Sequence, residues 1–277
     1  MYRTGLIGRS ILASRSPWLH EQEAKAQGIE LSYQLFDFTD RGLDDAELGP
    51  LLRRLAAEGY SGVNVTFPFK QAVIPLLDDL AESAEMVGAV NAVAMHEGRL
   101  IGHNTDMTGF RDSLDRGLPG RKQDRVLQLG AGGAGSAVAN ALLSLGTAHL
   151  EVADVDKSRA GMLSKMLGER FGTGRVSAVD IASLDTSDID GIVNTTPMGM
   201  AANPASAIAP DLIEPHHWVA DIVYFPLETE MLRIARAKGC QVLDGSGMVV
   251  GQAALAFEIF TGHKADTARM HRIFLTH

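Results

Sequence analysis

The sequence predicts an α/β fold in two successive units, with helices at the C-terminal end. Three observations carry this. Short β-like and helical patterns alternate through the first part of the chain; a strand, a glycine loop and a small-residue helix open a second α/β stretch; and the segment from GSGMVV onward is helical, with no further strand and crossover.

Taken in order, TGLIGR reads as a strand, PWLHEQEAKAQG as a helix, LSYQLFDF as a strand, AELGPLLRRLAAEG as a helix and GVNVTF as a strand. Such alternation predicts parallel strands joined by helical crossovers. After helical LAESAEMVG, the run AVNAVAMHEGRLIGHNTD holds two strands around His96-Glu97-Gly98, a hairpin expected at a sheet edge. Residues 107–124 begin helical and end turn-rich in DRGLPGRKQD, which marks a domain boundary. RVLQLGAGGAGSAVANALLSLG then supplies a strand, a glycine loop and a helix; HLEVADVD, GIVNTTPMG and HWVADIVYFP supply later strands. The final helices do not continue the pattern and are free to return to the first unit.

The bulk numbers exclude several classes. With 277 residues, 45% of them hydrophobic and 21% charged, the chain can build one large core or two medium ones, and two domains are expected. A net charge of -9 and a pI near 5.4 argue against a nucleic-acid surface, which needs clustered Lys and Arg. Cys240 is the only cysteine, so neither a disulfide framework nor a cysteine zinc site is expected, and the cytoplasm is the default compartment. The N-terminal stretch is broken by Arg and Gly too early for a secretory signal, and no run is long enough to span a bilayer. Nine histidines lack ligand spacing, and no metal site is expected.

Gly130, Gly132 and Gly135 fit G-x-G-x-x-G directly after an apolar strand and at the start of an Ala-rich helix. In that context the glycines permit the turn and close backbone approach, and the helix N-terminus stabilises a pyrophosphate, as in a Rossmann-like dinucleotide site. The next strand ends in Asp154, placed to bond the adenosine ribose hydroxyls and to repel a 2′-phosphate. NAD is therefore expected as cofactor, with NADP as a weaker alternative because Lys157 and Arg159 lie close by.

Lys70 poses a separate question. Pro68 suits the first turn of a helix, which puts Lys70 beside unpaired N–H groups that disfavour a cation by roughly 0.3–1 kcal/mol. Fold stability does not ask for it, and a partly desolvated lysine there is suited to proton transfer near neutrality. Asp106, after Asn104-Thr105, reads as an N-cap that could also hold its carboxylate beside a catalytic amine.

NVTFPFK, GAVNAV, GHNTDMTGF, GAGGAG, NTTPMGM and DGSGMVVGQAALAF, in this order from Gly8 to nearly the C-terminus, resemble the shikimate dehydrogenase family in its quinate/shikimate branch. The resemblance implies a substrate-binding and catalytic domain over residues 1–107, an NAD-binding Rossmann-like domain over 108–246, and C-terminal helices at 247–277 that return to the substrate domain. It implies Lys70 and Asp106 as the catalytic pair, and Ser14, Ser16, Thr66, Asn91, Tyr224 and Gln252 as substrate-binding residues. The serines and Tyr224 would sit at the substrate carboxylate. The same resemblance assigns the loop from Gly130 through Ala131, Gly132, Gly133 and Ala134 to Gly135 to the cofactor, together with Asp154, Arg159, Thr195, Pro197, Met198, Gly247 and Met248.

Some positions have plain structural readings too. Ser16 precedes Pro17 and could be an N-cap, whereas Ser14 has no such reading. Gln252 shares a helical stripe with Val249, Ala253, Ala256 and Phe260, so its amide needs a partner among apolar neighbours.

Where NADP-using members of the family carry an Asn-Arg-Thr run, this sequence has Ala153-Asp154-Val155-Asp156, similar to NAD-preferring relatives that also oxidise quinate. A catabolic or side-pathway role then competes with aromatic amino acid biosynthesis. The expected reaction is reversible oxidation of shikimate to 3-dehydroshikimate, with quinate or aminoshikimate as alternative substrates. A non-catalytic sensor of NAD and a cyclic acid is the alternative of another class; a methylenetetrahydrofolate-type dehydrogenase does not explain the paired serines or Gln252. The family implies a monomer or a homodimer.

Overall fold

A computed structural model describes residues 1–276 and divides the chain into two compact units, Met1–Gly109 with Val250 onward, and Phe110–Val249. The last helices thus group with the first unit, as their lack of a strand and crossover allowed.

The first unit runs β1 (Tyr2–Gly8), α1 (Ser16–Ala26), β2 (Leu31–Asp37), α2 (Leu48–Ala57), β3 (Gly62–Val65), α3 (Phe69–Ala72), β4 (Asp79–Leu80), α4 (Glu82–Val87), β5 (Ala92–His96) and β6 (Arg99–His103), after which α5 (Asp106–Gly117) crosses into the second unit. The sheet order is β2-β1-β3-β5-β6-β4. β1 lies parallel to β2 and β3, as the alternation predicted, while β5 and β6 form an antiparallel hairpin. Its turn places Glu97 and Gly98 at positive φ, the geometry a two-residue hairpin loop requires. The hairpin is not the sheet edge: β4 pairs outside β6, and two residues are too few to show a period in the sequence.

α2 buries Leu48, Leu51, Leu52 and Leu55 against a core that includes Ile7, Phe38, Phe69, Val93 and Leu100. Two C-terminal helices, α9 (Ser246–Thr261) and α10 (Thr267–Leu275), complete the unit from Val250 onward. Close approach of α9 depends on small residues: a Cβ on Gly62 would lie 2.3 Å from the Phe260 ring, and Ala92, Ala256 and Phe260 form one buried cluster.

α10 is tied to α1 by Glu23, which is fully buried and accepts from Arg269 Nε at 2.8 Å and Nη2 at 2.6 Å. Burial alone pushes the Glu23 carboxyl up, but the bonds from Arg269, the Asp266 N–H and Gln27 outweigh it and hold the group below its ordinary value. Glu23→Ala is expected to cost about 3 kcal/mol, because Arg269 loses its buried partner. Thermal denaturation checks this, and the sign with pH is set. A carboxyl lowered in the fold contributes stability above its unfolded value, lost as pH falls through its folded value, so the deficit should shrink in acid.

The second unit runs from Phe110 through β7 (Arg125–Leu129), α6 (Gly133–Ser144), β8 (His149–Ala153), α7 (Lys157–Phe171), β9 (Val176–Val179), β10 (Gly191–Asn194), β11 (Trp218–Asp221), α8 (Glu230–Ala237) and β12 (Gln241–Leu243) to the first turn of α9. All six strands are parallel in the order β12-β11-β10-β7-β8-β9. β10 and β11 are buried along their whole length, as strands covered on both faces are. β9 and β12 carried no clear signal because, unlike β10 and β11, they are not buried along their whole length and so show no continuous apolar run. No helix among the described residues is long and apolar enough to cross a membrane.

Candidate active site

Lys70 lies in α3, a single helical turn whose N-cap is Pro68 rather than having Pro68 as its first residue. Its ammonium donates to Asp106 Oδ2 at 2.6 Å, with the lysine side chain 20% exposed and the aspartate 4%. A carboxylate therefore compensates the cation at this unfavourable place. Asp106 is the first residue of α5 and not its cap: Asn104 Oδ1 accepts the Met107 N–H at 3.2 Å, leaving Asp106 to face the side chains around it.

Asn91, the residue before β5, organises the rest. Its Nδ2 lies 2.8 Å from Asp106 Oδ1, 2.9 Å from Thr105 Oγ1 and 3.1 Å from Gln252 Oε1, three acceptors shared by two hydrogens. Its Oδ1 accepts the Thr105 N–H at 2.8 Å, which fixes the amide orientation. Gln252, on α9, thus finds in Asn91 the partner its apolar stripe demanded. Asn91 is itself held through its main chain, where its carbonyl accepts from Asn64 Nδ2 at 3.1 Å, and Asn64 Oδ1 accepts from the Tyr33 hydroxyl at 2.9 Å. Asn64, Tyr33 and Thr105 were not singled out by sequence reasoning. Only the polarity of Asn64 in the otherwise apolar GVNV strand signals it.

Ser14 and Ser16 form their own cluster, with 3.2 Å between hydroxyls. The N-cap of α1 is Arg15, without a side-chain bond, so Ser16 is the first helical residue and not the cap. Ser14 does have a local role, since its Oγ accepts the Ser16 N–H at 3.2 Å. Thr66 follows β3 and packs its methyl where a Cβ on Gly8 would fall, 2.4 Å away.

In the second unit, the glycine loop joins β7 to α6 at the carboxyl ends of β7 and β10, where the strand order reverses and ligands bind in open parallel sheets. Gly130 has a φ of +103° and lies against Thr195, whose Oγ1 donates to Leu129 O at 2.8 Å. A Cβ on Gly135 would sit 2.5 Å from Gly130 O, so this glycine is required for helix to approach strand. Gln128 supports the loop from below by donating to Gly130 O and Gly135 O at 2.8 and 2.9 Å. Gly132 caps α6 with no side-chain acceptor, and a Cβ there meets nothing within 4 Å, so the helix N-terminus at Gly132 is open to an anion. These residues fit a pyrophosphate.

Asp154, after β8, bends over the loop: its Oδ2 accepts the Ala131 N–H at 2.7 Å and its Oδ1 the Asp156 N–H at 2.8 Å. Arg159 pairs with Asp156 at 3.4 Å and Lys157 with Asp180 at 2.6 Å, so both nearby cations are directed to other carboxylates.

At the ends of β10 and β11, Asp221 accepts from Asn194 Nδ2 at 2.9 Å, the Val223 N–H at 2.9 Å and the Thr229 hydroxyl at 2.7 Å. Burial pushes its carboxyl up to about 6 against these bonds. It ties down the segment of Thr195, Pro197 and Met198, since Asn194 also donates to Met198 O at 2.9 Å, and the segment of Tyr224, which is 38% exposed. Gly247 is explained by packing within this unit: a Cβ would fall 2.1 Å from Ser113 Oγ. Met248, beside it, is buried. Among the described residues, no group of three or more His, Cys, Asp or Glu side chains could hold a metal.

Comparison with known proteins bears on this arrangement. Residues 6–93 match the shikimate dehydrogenase substrate binding domain, and residues 245–273 the shikimate 5'-dehydrogenase C-terminal domain. The shikimate dehydrogenase (NADP(+)) of Streptomyces avermitilis is 51% identical over 97% of this chain and 93% of its own. The quinate/shikimate dehydrogenase (NAD(+)) of Corynebacterium efficiens is 45% identical over 98% of this chain and 97% of its own. The solved structure of quinate dehydrogenase from Corynebacterium glutamicum in complex with NAD superposes with a TM-score of 0.92 at 44% identity, covering 100% of this chain and 99% of that one. With near full-length identity of this order, the chain belongs to the shikimate dehydrogenase family of oxidoreductases.

Proposed function

We propose that the chain catalyses reversible oxidation of the C3 hydroxyl of shikimate to 3-dehydroshikimate with NAD. The observation that carries this is the Lys70–Asp106 contact of 2.6 Å, braced by Asn91 and Gln252. Bound NAD supplies the hydride acceptor, C4 of its nicotinamide. Lys70 relays the proton of the ring hydroxyl, and Asp106 orients the ammonium and compensates its charge. Thr66, Asn91 and Gln252 orient the ring, while Ser14 and Ser16 receive the carboxylate, so most of the rate gain comes from positioning and electrostatics. The first unit is the substrate-binding and catalytic domain in this reading and the second the NAD-binding domain. A cytoplasmic location belongs to the same reading, supported by the one free, buried cysteine, Cys240.

The cofactor preference rests on Asp154. Its carboxylate stands at the glycine loop with no ion pair among the described residues, where a 2′-phosphate would meet like charge. The names of the relatives divide between NADP(+) and NAD(+), so the test is direct. Asp154→Ser is expected to narrow the kcat/KM ratio of NAD over NADP by about tenfold or more. An unchanged ratio removes Asp154 from the discrimination.

The reaction itself is tested by following NAD(P)H absorbance with shikimate, quinate and aminoshikimate, each against NAD and NADP. Reduction with shikimate and NAD is the expected result. A preference for quinate moves the assignment to the alternative substrate, and no reduction in any combination favours the non-catalytic sensor.

A further inference from the structure

Asp37 ends β2 as a carboxylate 2% exposed, and main-chain N–H groups surround it. Its Oδ1 accepts from Ser10 at 2.9 Å, Thr39 at 2.9 Å and Asp40 at 3.4 Å, and its Oδ2 from Ile11 at 2.6 Å. Burial opposes the charge, but these four donors outweigh it and hold the carboxyl below its ordinary value. Two of the donors belong to the loop between β1 and α1, the loop that carries Ser14 and leads into Ser16 at the start of α1.

Ser10 is one of only two non-glycine residues among those described with a positive φ, at 55°. A serine held in the left-handed region stores strain that its surroundings must over-determine. Asp37 supplies that hold at both peptides that flank Ser10, through the Ser10 and Ile11 N–H groups. Beyond it the bonding continues to the serine pair: Ser14 N–H donates to Ile11 O at 2.9 Å, and Ser16 N–H to Ser14 Oγ at 3.2 Å. On the entry side, Arg9 is fixed to Asp45 at 2.6 Å and its N–H to Phe67 O at 3.0 Å, so the loop is fastened at both ends and the left-handed residue lies between.

We infer that Asp37 is a positioning residue for substrate binding: by holding Ser10 left-handed it presets the Ser14 and Ser16 hydroxyls for the carboxylate of a cyclic polyol acid. This rests on the reading of those serines as the carboxylate subsite.

The experiment compares steady-state kinetics of the full-length enzyme and its variants with shikimate and NAD. Asp37→Asn should raise the KM for shikimate about tenfold, the effect of one charge-assisted hydrogen bond lost, with kcat and the KM for NAD within about twofold of wild type. Adding Ser10→Gly should recover at least half of that loss on a logarithmic scale, because glycine adopts the left-handed conformation without strain. A purely architectural role for Asp37 would move kcat, both KM values and stability together, and glycine would not rescue it; that pattern overturns the inference. Should Asp37→Asn fail to fold, Ser10→Val tests the same point at an exposed site. It is expected to raise the shikimate KM alone, and an unchanged KM overturns the proposal. Ser16→Ala separates the two levels. A raised KM there with an unchanged KM in Asp37→Asn sinks only the role of Asp37, whereas no change in either sinks the serine subsite as well.

Discussion

Lys70→Ala is expected to lower kcat by about a hundred- to ten-thousand-fold, the range of general acid–base catalysis, while the Kd for NAD stays within about twofold. The asymmetry follows from where the residue stands: Lys70 belongs to the first unit, with Asp106, Asn91 and Gln252, and the glycine loop to the second. Stability also falls, because Asp106 is 3% exposed and keeps Asn91 as donor but loses its cation. Two further measurements separate chemistry from folding. Asp106→Asn, with Lys70 retained, should lower kcat in the same direction. Added methylamine should restore part of the turnover of Lys70→Ala, since a small amine can occupy the vacated place. Wild-type turnover in the folded alanine variant would remove Lys70 from the reaction.

His20 supplies the second large effect. It is fully enclosed, its ring 4.8 Å from that of Tyr33, its Nδ1 has no hydrogen-bond partner, and burial lowers its pKa to about 3. The neutral form is therefore the folded form. Between the ordinary value near 6.5 and about 3, the unfolded chain binds one proton more than the folded chain. Stability is thus independent of His20 above that window and falls by about 1.4 kcal/mol per pH unit on acidification within it. Asp221 acts in the opposite sense. Raised to about 6 in the fold, it contributes stability below its unfolded value, lost as pH rises through about 6. Because the two groups belong to different units, the His20 effect is best read as a difference between wild type and His20→Phe in urea denaturation. That difference should change by about 2 kcal/mol between pH 7 and pH 5 in favour of the variant, whatever its offset from repacking. A difference constant across that range would show that His20 titrates in the fold as it does in the unfolded chain.

The alternation of strand and helix patterns, the glycine loop, the hairpin at Glu97-Gly98 and the helix of AELGPLLRRLAAEG were all legible in the sequence. Each depends on residues within a few positions of one another, so the pattern along the chain is the interaction itself. The chemical demand of some residues was legible as well. Lys70 beside a helix start and Gln252 in an apolar stripe each required a partner that local structure does not supply.

Which partner answered was decided only by the fold. Asn91 meets Gln252 across 161 positions because Gly62, Ala92 and Ala256 let α9 approach the sheet. Capping went the same way: Asp106 and Ser16 were plausible caps, but Asn104 and the bare backbone of Arg15 stand there, so neither side chain is used as a cap. His20, Glu23 and Asp37 lie on elements whose local pattern marks them as ordinary surface polar residues, yet each is buried. Their burial follows from α10 closing over α1 and from the loop after β1 folding onto the end of β2. Local periodicity specified the elements and the unmet needs of a few side chains, whereas sheet order and helix approach chose the contacts, because those depend on residues that come together only when the chain is folded.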